Sequence, residues 1–142
     1  MGGSGWSYRT AFHGDVSAAL ISLRHKVFAA GDYFWPDSWG PRPASLDELL
    51  EDEGTQEAGT HSIIDVHRVI DPDQSDGYFT VRPLTPAETQ KHFGTDEPTP
   101  EQFDHVDASG ELSVPHGWSA RCVPLFTEGG PTEIGFWGSS GD

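Results

Sequence analysis

The sequence predicts an α+β domain, with about four or five strands in a single mainly antiparallel sheet and two to four helices packed on it. Near the N-terminus, apolar and polar residues alternate with the two-residue period of a half-buried strand, and near the C-terminus two strand segments flank a turn at residues 128–130. Between these segments, helix-capping residues precede apolar residues at three- and four-residue spacing. The predicted order is β, α, α, β, β, α, α, β, β, which favours one sheet covered by helices.

The chain length favours a single domain. A chain of 142 residues can form one core that buries roughly two thirds of its unfolded surface. Residues 1–5, Met-Gly-Gly-Ser-Gly, are typical of a flexible linker or cloning remnant, so we assign residues 6–142 to one globular domain. No apolar run approaches the roughly 20 residues needed to cross a membrane, which predicts a soluble protein.

The single cysteine and the ratio of Arg to Lys bear on the cellular environment and the source of the protein. Cys122 is the only cysteine, so the chain has no internal disulfide framework and no thiolate-rich metal site. We therefore expect a reducing, cytoplasmic environment. Arg outnumbers Lys, as in proteins from GC-rich bacterial genomes, which indicates a bacterial source.

The first strand and the first helix have the clearest patterns. Aromatic and polar side chains alternate over residues 6–12, which predicts a half-buried strand. Asp15 can cap a helix whose apolar residues over 16–27 lie on one side. Gly31 would end this helix, because glycine readily takes the left-handed conformation of a helix C-terminus.

A loop and a short acidic helix follow. Three prolines and a glycine prevent regular structure over residues 32–43, which are rich in aromatic side chains. Ser45 and Glu48 have the spacing of a capping box, which predicts a short helix that ends near Gly54. Acidic residues at its C-terminal end oppose the helix dipole, so a cationic partner could stabilise that end.

The middle of the chain predicts a β-hairpin. Residues 61–70 are rich in β-branched side chains with apolar groups on both faces, as in a central strand. Residues 71–77 have the composition of a turn, and residues 78–81 are interpreted as the returning strand.

Two short helices and a second hairpin complete the prediction. Thr85 and Thr99 each precede a proline and lie three residues before a Glu or Gln, which predicts helices that end at Gly94 and near Val106. The strands of the hairpin are predicted over residues 118–127 and 132–137. Its first strand includes a proline, Pro124, which lacks a ladder donor and indicates an edge position or a bulge.

The charge of the chain limits its partners. Asp and Glu number 23 against 8 Lys and Arg, which gives a formal net charge of −15. Such a charge disfavours direct binding to nucleic acids and anionic membranes and favours a basic protein partner. The acids concentrate between Arg42 and Arg68 and between Lys91 and Arg121, where no Lys or Arg occurs. The alternative is that these two blocks are solvent-facing and serve only solubility.

A His/Asp group is the catalytic or metal-binding candidate. His61, Asp65 and His67 would point to one face of a strand over residues 61–70, where two imidazoles and a carboxylate could bind zinc or act in acid–base catalysis. Further ligands could come from elsewhere: Asp104, His105 or His116. The spacing matches no metal motif and no cofactor motif is present, so we expect no cofactor. The alternative is that the three are hydrogen-bonded polar groups at the margin of the sheet.

The aromatic loop is the preferred partner-binding candidate. Large rings on a proline-stiffened loop offer contact area with little loss of entropy. The aromatic residues are Tyr33, Phe34, Trp35 and Trp39. The acidic residues assigned to the same site are Asp47, Glu48, Glu51, Asp52 and Glu53. The alternative is that the rings fold back as a lid over the core.

Three functions are compatible with these patterns. The first is a small acidic protein-interaction module that binds a basic partner, and small bacterial immunity proteins and enzyme inhibitors resemble the chain in composition. The second is a small metal-assisted or acid–base hydrolase that uses the His/Asp strand face. The third is a small-molecule binding protein with an aromatic pocket. The sequence favours the first and leaves the oligomeric state open.

Overall fold

The computed structural model describes residues 5–141, which form one five-stranded sheet and five α-helices. The strands are β1 (Gly5–Ala11), β2 (Arg68–Val69), β3 (Thr80–Pro83), β4 (Ser119–Thr127) and β5 (Gly130–Ser139). The helices are α1 (Val16–Ala30), α2 (Leu46–Glu51), α3 (Glu53–Ala58), α4 (Pro86–Phe93) and α5 (Pro100–Ala108). The predicted α+β class with a single sheet is confirmed. Of the predicted linker, only Gly5 lies within the described residues, where it begins β1.

The sheet is mixed, with the strand order β1-β5-β4-β3-β2. β5 pairs antiparallel with both β1 and β4, whereas β4, β3 and β2 are parallel to one another. The predicted C-terminal hairpin is confirmed as β4 and β5. Pro124 lies in β4 beyond the last residue paired with β3, Cys122, and next to a register shift between Leu125 and Phe126. The backbone N–H that proline lacks is therefore not needed for the pairing of β4 with β3.

The predicted hairpin over residues 61–81 is wrong. Residues Ile63–Asp65 form a 3₁₀ helix, and the strand that follows is only Arg68–Val69, which pairs parallel with β3 at the edge of the sheet. Hydroxyl and carboxylate groups compete here with a sheet ladder for the backbone donors. The Ser62 hydroxyl accepts from the backbone N–H of Ile64 at 3.2 Å, and the Asp65 carboxylate accepts from that of Thr60 at 2.7 Å.

The predicted helix boundaries are confirmed where capping residues define them. Asp15 accepts a hydrogen bond from the backbone N–H of Ala18 at 3.2 Å, and Gly31 ends α1 with φ of 69°. Thr85 and Thr99 each form a complete capping box at the start of α4 and α5.

The acidic helix differs from the prediction, because it is two helices rather than one, so residues 5–141 contain five α-helices where two to four were predicted. Ser45 caps α2 as predicted, but α2 ends at Glu51. Asp52 then caps α3 by accepting from the backbone N–H of Thr55 at 3.0 Å. Gly54 lies inside α3 instead of ending the helix.

Adjacent residues of a strand point to opposite faces of the sheet. Helices pack against both of these faces. On one face, α1 and α2 pack through Leu20, Leu23 and Leu49 in a cluster that includes Phe136 of β5. On the other face, α4 and α5 pack against a second cluster, whose members are Leu84, Phe93, Phe103, Val123, Leu125 and Trp137. Within residues 5–141, no helix has the length and apolar character needed to cross a membrane.

Candidate binding cleft

The aromatic loop is largely folded back onto the protein. Tyr33 is buried and its ring stacks on Phe28 at a centroid distance of 5.8 Å. The Arg42 guanidinium lies over the Tyr33 ring at 4.7 Å. Tyr33 is therefore a core residue in this structure, and its assignment to a partner-binding surface is wrong.

The other three aromatic residues of the loop divide between packing and exposure. The half-buried rings of Trp35 and Trp39 contact edge to face at 5.2 Å. Trp39 also covers α3 so closely that a Cβ atom on Gly54 would lie 2.7 Å from its ring. Phe34 is 40% exposed and packs on His61 at 4.7 Å. The two tryptophans thus act as a lid, and Phe34 remains available to a partner.

The predicted acidic site residues lie on or beside α2 and α3. Two of them stabilise the helix starts: Glu48 accepts from the backbone N–H of Ala44 at 2.9 Å, and the half-buried Asp52 caps α3. The remaining three, Asp47, Glu51 and Glu53, are exposed. An acidic surface therefore extends along both helices.

The three His/Asp candidates do not share a strand face, because residues 61–67 form no strand. His61 has a left-handed backbone with φ of 55°, Asp65 ends the 3₁₀ helix, and His67 precedes β2. Between Gly5 and Gly141, no group of three or more His, Cys, Asp or Glu residues is arranged to hold a metal ion. The strand-face premise of the hydrolase hypothesis is therefore wrong.

A cleft nevertheless brings two of these candidates together. It has a volume of about 230 Å³ and opens between α2, α3, the 3₁₀ helix and the N-terminal ends of the three parallel strands. The residues that line it are Leu50, Thr55, Gln56, Ile64, Asp65, His67, Phe79 and Trp118.

One wall of the cleft consists of three rings at equivalent positions. His67, Phe79 and Trp118 each immediately precede one of the parallel strands, whose first residues are paired across the sheet. The rings of His67 and Phe79 are nearly parallel at 5.9 Å, and those of Phe79 and Trp118 are 5.4 Å apart. The parallel register therefore builds a row of aromatic rings from residues far apart in the sequence.

The backbone is strained around this wall. Phe79 and Trp118 have φ values of 64° and 61°, in the left-handed region that costs a non-glycine residue roughly 1–2 kcal/mol. Gly59 is also required there, because a Cβ atom on it would lie 2.8 Å from Asp65 Oδ2 and 3.1 Å from the Trp118 ring. Strained residues that cluster at a concave site are typical of binding or catalytic sites.

Asp65 is buried and well hydrogen-bonded. Its Oδ1 accepts from the backbone N–H and the hydroxyl of Thr60 at 2.7 and 2.9 Å, and its Oδ2 accepts from the Ser140 hydroxyl at 2.6 Å. None of the ion pairs found between residues 5 and 141 involves this carboxylate. Three hydrogen bonds, together with the nearby charge of Arg24, therefore compensate for its burial.

Two arginines, Arg24 and Arg68, lie near His67 in the cleft. Arg24 donates to the backbone carbonyl of Ile64 at 3.0 Å, and burial lowers the pKa of its guanidinium. Partial burial, together with the charges of Arg24 and Arg68, lowers the pKa of His67 below its usual value. His67 is therefore a neutral ring near neutral pH.

The outer edge of the cleft is exposed and aromatic. Tyr78 and Phe79 are 62% and 43% exposed, and the Tyr78 ring contacts that of His116 at 4.6 Å. We call His67, Tyr78, Phe79, His116 and Trp118 the aromatic rim. Sequence reasoning missed Tyr78, Phe79 and Trp118 as site residues because it placed them in ordinary strands.

An ion-pair network holds the loop that carries Tyr78 and Phe79. Asp76 accepts two hydrogen bonds from Arg121, at 3.0 and 2.8 Å, and lies 3.4 Å from Arg82. Arg82 also donates to the backbone carbonyl of Pro72 at 2.8 Å and to both carboxylate oxygens of Glu88 at 2.9 and 2.7 Å. The network fixes residues 72–77 against β3, β4 and α4.

Comparisons with known proteins found no match that bears on this site. No protein-family model, no curated protein and no solved structure matches the chain.

Proposed function

We propose that this protein binds a basic protein partner through the aromatic rim and the acidic surface of α2 and α3. An immunity-type or inhibitor protein, which blocks a basic enzyme, is one form of such a module. The observation that carries the proposal is an exposed aromatic rim on the same cleft that the two acidic helices line.

The aromatic rim has the properties of an interface centre. Tyr78 and Phe79 are adjacent exposed aromatic residues whose ring centroids lie 6.4 Å apart. The Tyr78 ring packs on His116 and the Phe79 ring packs on Trp118. Large aromatic residues contribute most of the binding energy in many interfaces, at little entropic cost when they are held in place. The ion-pair network around Arg82 holds these rings in position before a partner arrives.

The acidic helices favour a partner of opposite charge. α2 and α3 contribute Leu50, Thr55 and Gln56 to the cleft and present Glu51 and Glu53 to solvent beside it. A net charge of −15 adds a long-range attraction for a basic surface. Such attraction accelerates association and weakens as salt screens it.

The test is a capture experiment with matched variants. Wild type, a Tyr78→Ala/Phe79→Ala double variant and Ile21→Ala are immobilised and exposed to lysate of the source organism. Ile21 is 55% exposed on α1, so it controls for loss of surface apolar area elsewhere. We expect one basic protein that wild type and Ile21→Ala retain and the double variant loses.

The captured protein is then purified, and its association rate is measured as salt rises from about 50 to 500 mM. We expect the rate to fall at least about tenfold for a charge-steered complex. Retention by the double variant, or an association rate that does not change with salt, would contradict the proposal.

The cleft also supports a second candidate, the small-molecule binding protein, because it is concave and mostly lined by apolar and aromatic side chains. Its volume of about 230 Å³ lies below the roughly 300–1,000 Å³ of most ligand pockets. A free ligand in this cleft would therefore have to be small.

A further inference from the structure

We propose that the cleft receives the cationic side chain of an arginine or lysine from the partner, which places its charge among the rings near Asp65. The inference rests on the proposed function and deepens it, because it assigns the cleft a chemical class of ligand. Four features of the cleft support it: its size, its rings, its buried polar groups and the charge around it.

The size of the cleft fits one long side chain. A volume of about 230 Å³ is smaller than most pockets for drug-sized ligands, yet it opens directly beside the exposed rim. A partner that covers Tyr78 and Phe79 would bring its own side chains to this opening. One extended side chain from that partner could then enter between α3 and the ring wall.

The ring wall suits a cation. A Lys or Arg head group is attracted to the faces of aromatic rings within about 6 Å, most strongly to tryptophan and more strongly when water is excluded. Trp118 and Phe79 both line the cleft, and their ring centroids lie 5.4 Å apart, so one cationic head group could contact both rings. His67 adds a third ring, and its lowered pKa keeps it neutral, so that it does not repel a cation near neutral pH.

The inner part of the cleft contains two polar groups suited to a cation. Asp65 is a buried carboxyl group that forms no direct ion pair among residues 5–141, with Arg24 as the nearby cation that acts on it. Thr55 is only 4% exposed, and its Oγ1 has no hydrogen-bond partner in the same part of the chain. An unsatisfied buried hydroxyl is unfavourable, and a donor such as an ammonium or guanidinium group would satisfy it.

The surrounding charges favour a cation overall. Arg24 and Arg68 oppose it, although Arg24 donates to the backbone carbonyl of Ile64 and its charge is partly balanced by Asp65. On the opposite wall, α2 and α3 carry several exposed acids and no base. These exposed acids are Asp47, Glu48, Glu51, Glu53 and Glu57. The acids outnumber the two arginines, in line with the charge of the whole chain.

The test uses three small probes and the full chain. N-acetyl-arginine amide and N-acetyl-lysine amide carry the proposed cation, whereas N-acetyl-citrulline amide has nearly the shape of the arginine probe without its charge. Binding is followed by the NMR signal of the Trp118 indole N–H. We expect saturable binding of a cationic probe in the millimolar range, at least about tenfold tighter than that of the citrulline probe.

Variants assign the binding to the inner cleft. Asp65→Asn retains the shape and an acceptor for Thr60, and we expect it to weaken cation binding about tenfold. Thr55→Val removes the hydroxyl with little change of volume and should weaken binding less. Asp96→Asn removes the same charge from an exposed position and should leave binding unchanged.

The outcomes separate this inference from the proposed function. If neither cationic probe shifts the Trp118 signal, or if the citrulline probe binds equally well, the inference is overturned even when a basic partner is captured. Cation binding without a captured basic partner would instead overturn the proposed function, and with it the partner as the source of the cation, while the preference of the cleft for a cation would stand. If Asp65→Asn fails to fold, the comparison of the three probes on wild type still decides the question.

Discussion

The two halves of the sheet are stabilised differently. β1, β5 and β4 form long antiparallel pairs, with β1 paired along all 7 of its residues. On the other side, β3 has 4 residues and β2 only 2, both in parallel pairing. All non-glycine residues with positive φ in the described chain, namely His61, Phe79 and Trp118, lie in this second half or at its border. Long ladders thus stabilise one half, whereas side-chain networks hold the strained other half.

This difference separates the part of the fold that provides most of the buried core from the part that carries the proposed binding site. The antiparallel half contributes fully buried residues such as Ile134 and Phe136 to the core. The parallel half carries the cleft, the aromatic rim and the ion-pair network around Arg82. Binding sites are commonly drawn from the less stable parts of a fold, supported by a rigid remainder.

The largest expected effect comes from the antiparallel half. Phe136 is fully buried, so Phe136→Ala should lower the free energy of unfolding by about 3–5 kcal/mol through lost burial and a cavity. Tyr78→Ala in the rim, where the side chain is 62% exposed, should change it by less than about 0.5 kcal/mol. Urea unfolding of both variants measures the contrast, and equal losses would contradict the division of roles.

A smaller effect is expected from the ion-pair network. Glu88 accepts both hydrogen bonds from Arg82, which lower its pKa from 4.5 to about 2. Glu88→Gln keeps an acceptor for the capping box but loses the charge, so it should lower the free energy of unfolding by about 1–2 kcal/mol near neutral pH.

The pH dependence of this effect follows from the lowered pKa. The ionised carboxylate is favoured in the folded state, so its stabilisation is fully present above pH 4.5 and is lost as pH falls towards about 2. The difference in unfolding free energy between wild type and Glu88→Gln should therefore shrink over this interval. A difference that stays constant down to the acid end would show that charge is not its source.

The smallest expected effect tests the backbone strain directly. Phe79 has φ of 64°, so the glycine variant avoids a left-handed penalty that the alanine variant retains. Phe79→Gly should be more stable than Phe79→Ala by about 1 kcal/mol. At Thr132, an exposed β5 residue without positive φ, glycine should instead be the less stable of the pair. The same order at both positions would argue against strain at the cleft.

Part of the candidate site could be predicted from the sequence. Asp65 and His67 were selected by residue type, and both line the cleft. Their predicted strand face was wrong because Thr60 and Ser62 hydrogen-bond within the segment and turn the chain. The signal was present, since Thr, Ser and Asp within six residues favour such local bonds over a ladder.

By itself, the sequence determined the α+β class, the capped helices, the C-terminal hairpin and the acidic charge. These features depend on residues close together in the chain, such as Thr85 and Glu88, or on composition alone. Only the tertiary structure decided that His67, Phe79 and Trp118 form one wall. The register of parallel strands depends on packing between distant segments, which no local pattern records. For the same reason, only packing decided which rings became core and which became the exposed rim.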